Sequence, residues 1–221
     1  MFQNPQDLLE KIKKIEISKY FFADYLQQNS VILEAGAHIG RNTVKFAKLF
    51  TEGIIYAFEP VPNLYKELKE NTKIFSNVKT FNMALSDREE EITLYVSSGR
   101  STALSSLYKP LDENLAKHPE TIFEKIKVFS TTIDAWAIAH NIQNIDFIWL
   151  DLQGAELKAL HGGQNILKTS KLLFIEGSLK ERYAREPLVH DVANWLEEKN
   201  FRAIYRDEPK HNKVNILYLK P

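Results

Sequence analysis

The run VILEAGAHIGRNTVKFAKLF, residues 31–50, decides the fold. Val31, Ile32 and Leu33 are apolar without alternation, as in a strand buried on both faces. The run closes on Glu34 and a turn carrying Gly36 and Gly40. Residues 41–50 then place Val44, Phe46, Ala47, Leu49 and Phe50 where a helix would bury them. Strand, glycine turn and helix in that order open a βαβ unit.

The same grammar continues along the chain. Residues 54–58 read as a strand ending in Glu59-Pro60, 62–73 as a helix and 78–82 as a third strand. Residues 145–150 form a strongly apolar strand, followed by Asp151 and a helix that stops at Gly162-Gly163. Another strand at 172–175 ends in Glu176-Gly177. A helix over 188–199 and strands near 201–206 and 213–219 close the chain. Segment 207–212 between the last two is short enough for a hairpin, so an antiparallel edge strand is expected. Strands of apolar interior alternating with helices imply an α/β fold, its parallel sheet covered on both faces.

Three stretches depart from that rhythm. Residues 91–96 alternate Ile92, Leu94 and Val96 with Thr93 and Tyr95, the pattern of a half-exposed strand. Residues 97–125 are polar, broken by Gly99, Pro110 and Pro119, and too long for an ordinary connection; they are expected to be a lid or acceptor loop. Residues 128–131 resume as strand, and Thr131-Thr132-Ile133-Asp134 resembles a capped helix start. At the N-terminus, Leu8, Leu9, Ile12, Ile15, Phe22, Tyr25 and Leu26 suit a helix face over 7–28, a helical cap within residues 1–30. That stripe would be buried equally well on this sheet or on a second copy in a homodimer. The lysines of 11–14 form its wet face. One domain, 1–221, accounts for everything.

Composition narrows the partners. Acidic and basic residues balance, 29 against 29, so no global field draws the chain to nucleic acid or an anionic membrane. There is no cysteine, which excludes disulfides, thiolate zinc sites and thiol catalysis. No apolar run reaches membrane-spanning length and no signal-peptide pattern opens the chain, so a cytoplasmic protein is expected.

In an open parallel sheet, ligands sit beyond the carboxyl ends of the strands where strand order reverses. Glu34-Ala35-Gly36-Ala37-His38-Ile39-Gly40 lies at such an end. Gly36 allows a tight turn, and Gly40 close approach to a ligand or neighbouring strand. Glu59, ending the next strand, can accept both hydroxyls of a ribose. A dinucleotide would want a third small residue in the turn, but His38 stands where the middle glycine belongs and Arg41 where the last does. Glu34 sits badly beside phosphates and well beside a cation. S-adenosylmethionine, with an ammonium, a sulfonium, a ribose and no phosphate, fits this turn better than a nicotinamide dinucleotide, which is kept as the alternative.

EAGAHIGRNT (34–43), YAFEPVPNLYKEL (56–68), FNMALSD (81–87) and above all IDFIWLDLQGAELKALHGG (145–163) resemble the FkbM family of methyltransferases. The resemblance covers most of the chain. It implies a class I methyltransferase (Rossmann-like) fold with a mostly parallel seven-stranded sheet, helices on both faces, S-adenosylmethionine as donor, and O-methylation of a sugar, glycan or small hydroxylated metabolite. Matched position by position, Glu34, Gly36, Ala37, His38 and Gly40 correspond to the cofactor loop, Glu59 to the ribose acid, Asn82, Ala84 and Leu85 to the segment beside adenine, and Asp151 to the acid after the fourth core strand. The chain departs at Gln153, where glutamate is more usual, and at Glu34, where aspartate is common.

Transfer to a hydroxyl needs a general base. Asp151, Glu176 and Glu156 are the candidates, with His38 and His161 behind them; His161 at a helix end more simply complements the helix dipole. Asp151 and Glu176 at neighbouring strand ends could hold a divalent metal, although none is expected. Arg100, Ser101, Tyr108, Lys109 and His118, with Lys180, Arg182, Tyr183 and Arg185, could frame an acceptor pocket suited to sugars bearing phosphate or carboxylate. N- or carboxyl-methylation, for which no base is needed, and a non-catalytic cofactor-binding module remain the competing functions.

Overall fold

The computed structural model describes residues 1–12, 14 and 21–221. Its centre is a seven-stranded sheet built from β1 (Val31–Ala35), β2 (Ile54–Phe58), β3 (Val78–Phe81), β7 (Phe147–Leu150), β8 (Leu172–Ser178), β9 (Arg202–Arg206) and β10 (Lys213–Leu219). Spatial order is β3-β2-β1-β7-β8-β10-β9. The first five strands run parallel, in register Val31 to Ile54 and Ile32 to Phe147 across β1. β10 runs antiparallel to both β8 and β9, so the reversed strand lies one place in and β9 takes the outermost position. The hairpin expected at 207–212 explains this, since a short turn can only return the chain antiparallel beside itself.

The central strands are apolar throughout because helices cover both faces. Leu33, Ile148, Leu150 and Ile175 on one face pack with α1 (Pro5–Lys11), α5 (Ile133–Ala139), α6 (Glu156–His161), α7 (Ile166–Thr169) and α8 (Val189–Glu198) in the larger core. On the other face, Ile32, Ile55, Phe147 and Phe174 meet Phe46 and Phe50 of α2 (Arg41–Leu49) and its exit, and Phe22. There Trp149 stacks on Phe174 with ring centroids 3.6 Å apart. α3 (Pro62–Thr72) starts with proline at its first turn, where a missing N–H costs nothing. Thr132 caps α5 as its sequence suggests, its hydroxyl accepting from the Ala135 N–H at 3.0 Å.

Two expectations need correction. The N-terminal helix ends at Lys11, because Ile12 adopts an extended conformation, and a short 3-10 turn occupies Phe21–Tyr25; Ile15 lies outside the described residues. The polar stretch 97–125 is also only partly loop. β5 (Glu90–Gly99) and β6 (Thr121–Thr131) pair antiparallel over their whole length and, with β4 (Ala84–Leu85), make a second three-stranded sheet. Polar side chains hide these strands in the sequence because one face of the hairpin is open to solvent. Its other face carries Leu94 and Val128 onto Val61, Leu64 and Ala84.

What remains of the loop, 100–120, is a strap containing α4 (Asp112–Lys117). It is tied down along its length. Ser106 bridges Tyr95, Pro110 bridges Tyr183, and the Leu111 N–H donates to the Arg182 carbonyl at 3.0 Å. Among the described residues no helix is long and apolar enough to cross a membrane.

Candidate active site

The site opens at the carboxyl ends of β1, β2 and β7, where the strand order reverses on either side of β1. Gly36 turns there with φ +81°, and a Cβ on it would lie 2.0 Å from the Asp151 carbonyl oxygen. The Gly36 and Ala37 N–H groups both donate to the Phe58 carbonyl, at 3.1 and 3.0 Å, while the Asp151 N–H donates to Ala35 at 3.1 Å. The turn is therefore clamped between β2 and β7, and only glycine fits. Gly40, also left-handed at φ +86°, has a different reason. Its missing side chain makes room for Leu68 of α3, 2.8 Å from a would-be Cβ, so the close approach is to a helix rather than to a ligand or strand.

Three acids surround this turn. Glu59 is 5% exposed; its Oε2 accepts from the His38 N–H and its Oε1 from the Val61 N–H, each at 2.8 Å. Burial pushes its carboxyl up to about 7, against the two amides, and the charge of Asp151 adds to the rise. Glu34 is buried beneath the turn and accepts from the Thr43 hydroxyl at 2.5 Å. Burial raises it to about 8, with Asp151 and Glu59 contributing. Asp151 stands at about 7, through burial first and then repulsion from Glu176, partly offset by Lys213, Gln153 and Arg182. The mutual repulsion of these acids exceeds what the neighbouring lysines and arginine relieve, which suits a cationic ligand at the turn better than a pyrophosphate.

Behind Asp151 a polar network fixes the wall. Gln153, at φ +50° and 6% exposed, donates from Nε2 to Asp151 Oδ1 at 2.6 Å and to Glu176 Oε2 at 2.9 Å. Arg182 Nη1 donates to Gln153 Oε1 at 3.1 Å, which sets the amide's orientation. Lys213 Nζ reaches Glu176 Oε2 at 2.7 Å. A glutamate at 153 would set a third carboxylate against two others. Glutamine instead bridges them with its two N–H groups.

The cleft is lined by Gly36, His38, Glu59, Ala84, Leu85 and Asp151 from the expected set. Its apolar wall, Phe58, Pro60, Leu64 and Leu94, suits an adenine ring, and Thr102, Ala103 and Ser105 to Leu107 of the strap close it. His38 Nε2 lies 2.8 Å from Thr102 Oγ1, joining the glycine turn to the strap. Burial and the Arg41 charge lower the His38 basicity.

The remaining expected residues sit elsewhere. Glu34 and Ala37 are buried behind the turn, Ala37 against Ala57 and Leu68. Asn82 braces the turn after β2, its amide donating to the carbonyls of Glu59 and Pro60 at 2.9 and 3.1 Å. Glu156 is no rim residue. It is 3% exposed, and its Oε1 accepts from the N–H groups of Leu152 and Gly154 at 2.8 and 3.3 Å. Those amides belong to the tight loop that turns β7 into α6, so its carboxylate is spent on its own loop. Glu176 lies one residue beyond the wall, reaching Asp151 through Gln153. His161 is exposed against Trp195. No cluster of three or more potential metal ligands occurs among the described residues, and the space between Asp151 and Glu176 holds the Gln153 amide.

Thr102, Ala103 and Ser105 to Leu107 of the strap, Leu94 and Lys213 were not among the sequence candidates. Leu94 had a signal, because the alternation that marks β5 requires its apolar face to cover something. Lys213 had none; pairing of β10 with β8 brings it to Glu176.

A seven-stranded sheet in this order, with an acid closing β2 and a cleft over the β1 turn, defines a class I S-adenosylmethionine-dependent methyltransferase. The solved rRNA methylase of Streptococcus thermophilus shares the fold, with a TM-score of 0.54 at 14% identity, over 95% of this chain and 98% of that one. Residues 34–203 match the model of the Methyltransferase FkbM domain, and the chain belongs to that family. It is similar to the 2-O-methyltransferase NoeI of Sinorhizobium fredii strain NGR234, 26% identical over 82% of this chain and 78% of that protein. It is likewise similar to Methyltransferase 1 of Beauveria bassiana, 26% identical over 73% of this chain and 71% of that protein.

Proposed function

We propose that this methyltransferase modifies a hydroxyl of a small acceptor, a sugar or similar hydroxylated metabolite, with Asp151 as general base. The observation that carries the reading is the Asp151 carboxyl, on the wall of the donor cleft and pinned by Gln153 at 2.6 Å. Bound S-adenosylmethionine supplies an electrophilic methyl on a sulfonium. Glu59 would receive its ribose hydroxyls on the lone pairs left by the two amides, and the apolar wall would take the adenine.

Asp151 can then accept the acceptor's proton as the oxygen advances. A base works best with a pKa near the working pH, and burial with the Glu176 charge brings Asp151 to about 7. Lys213 and Arg182 keep it from rising further. Gln153 holds the carboxyl in one rotamer, which is what in-line geometry demands. Glu176 thus acts through Asp151, and Glu34 and Asn82 act by shaping the turn.

Two measurements test this. S-adenosylhomocysteine at about 100 times its dissociation constant should stabilise the protein by roughly 2.7 kcal/mol, and NAD should not. Mass spectrometry of extract treated with enzyme and isotopically labelled methyl donor should find label on a hydroxyl oxygen. Stabilisation by NAD alone removes the donor reading, and label on nitrogen or a carboxyl removes the role of the base.

A further inference from the structure

A second cleft lies beside the donor cleft, separated from it by the strap. Arg100 and Leu104 face it, whereas Thr102 and Ala103 between them face the first. Arg182, Lys213, Lys117, His118 and His211 also line it. We propose, resting on the methyltransferase reading, that this cleft seats an anionic group of the acceptor, a phosphate or carboxylate carried by the molecule whose hydroxyl reaches Asp151.

The charge distribution argues for it. Four permanent cations and two histidines line the cleft, against Glu113 and Glu181 alone. Burial, and then the neighbouring His211, Arg182, Lys213 and Arg100, lower the basicity of His118. The cations divide into two groups. Arg182 is buried and committed, donating to Ser178 Oγ and Gln153 Oε1, and Lys213 is held by Glu176. Both are charge-compensated and fixed in place, Arg182 by Glu186 at 3.7 Å and Lys213 by Glu176 at 2.7 Å. Arg100 and Lys117 have only surface partners, Glu120 at 3.3 Å and Glu113 at 3.0 Å, with every side chain more than half exposed. Such pairs exchange partners at little cost, so both cations are available to an incoming anion.

The same residues connect the two clefts. Arg182 holds Gln153, Gln153 holds Asp151, and Lys213 holds Glu176 beside them. An anion against Arg182 therefore lies two side-chain hydrogen bonds from the Asp151 carboxyl. The cleft also carries acids on its rim and the chain has no net charge, so a discrete anion fits better than a continuous polyanion.

The test uses the full chain saturated with S-adenosylhomocysteine. Calorimetric titration compares glucose 6-phosphate, glucuronate and glucose, with inorganic phosphate as the minimal probe and a short RNA as the polyanion. At least one anionic sugar should bind roughly tenfold or more tighter than glucose, one charge-assisted contact being worth about that factor, and should weaken with added salt. The preference should disappear in Arg100→Ala/His118→Ala and persist in Arg100→Lys, with S-adenosylhomocysteine affinity showing that both variants are folded. The proposal is overturned by equal binding of glucose and the anions, by anion preference surviving the double substitution, by tighter binding of RNA than of either sugar, or by no anion binding at millimolar concentration. Loss of the anion preference with donor binding intact sinks this proposal alone; failure of the wild-type chain to bind S-adenosylhomocysteine sinks the methyltransferase reading beneath it.

Discussion

Replacing Glu59 by glutamine separates the two tasks assigned to this side chain. Its two carboxylate oxygens each accept one backbone N–H, from His38 and from Val61, at 2.8 Å. Glutamine has a single acceptor oxygen, so either rotamer turns an NH2 group against one of those donors. A buried donor left unsatisfied costs about 1–3 kcal/mol. Part of this is returned, because the glutamine carries no charge to bury, and burial is what holds Glu59 at about 7. A net loss of about 1 kcal/mol in the ligand-free protein is expected at pH 8, read from urea denaturation. The effect on donor binding should be larger. Ribose hydroxyls lose a charged acceptor, and hydrogen bonds to charged groups contribute about 1.5–3 kcal/mol. That corresponds to roughly 10- to 150-fold in dissociation constant, measured by calorimetry with S-adenosylhomocysteine at pH 8. A folded variant whose affinity changes by less than about threefold would refute the ribose contact, leaving Glu59 as an amide clamp only.

Asp151→Asn should lower kcat by roughly 10²- to 10⁴-fold while S-adenosylhomocysteine affinity stays within a few-fold; an unaltered rate would mean an acceptor that needs no base. The wild-type rate should fall as pH drops through about 7, where Asp151 takes up a proton, and a profile flat from pH 5 to 8 contradicts that assignment. Gly36→Ala combines a left-handed φ with a Cβ 2.0 Å from the Asp151 carbonyl, so it should cost about 3 kcal/mol or more and depress soluble yield; near-wild-type stability on thermal melting would show that the β1 and β7 ends can separate. Glu34, Glu59, Asp151 and Glu156 are all raised on folding, to about 8, 7, 7 and 8. An acid raised in the native state favours folding while protonated. Its contribution is complete below its ordinary value near 4 and disappears as pH rises through 7 and 8. The ligand-free protein should therefore lose stability between pH 5 and 8, and S-adenosylmethionine should reduce the slope; stability that climbs across this window speaks against the cluster.

Much of this architecture was written in hydrophobic spacing. β1, β2, β7 and β8 were legible because a parallel strand covered on both faces must be apolar at every position, and the glycines at 36 and 40 mark the one place where the chain leaves β1 for α2. The place of Gly36 and Glu59 on the cleft was readable because both end strands at the sheet's switch point, a position that local sequence and topology define together. The β5–β6 hairpin was only half read. A solvent face lets polar residues into strand positions, so their composition resembled loop.

Tertiary structure alone decided which acids do what. Asp151, Glu156 and Glu176 look alike along the chain, but their parts differ through contacts with residues distant in sequence or through direction of approach. Glu156 bends back onto its own loop, Glu176 is held by Lys213 from β10, and Asp151 is left facing the cleft under Gln153 and Arg182. Burial and mutual repulsion set a carboxyl's proton affinity, and neither exists until the strands have assembled. Hydrophobic spacing and the glycine turn were enough to set the sheet, the turn and the class of ligand the turn accepts. Folding determined which acid faces the cleft, the strap over it and the cation-lined cleft beside it, because each is made where segments remote in sequence meet.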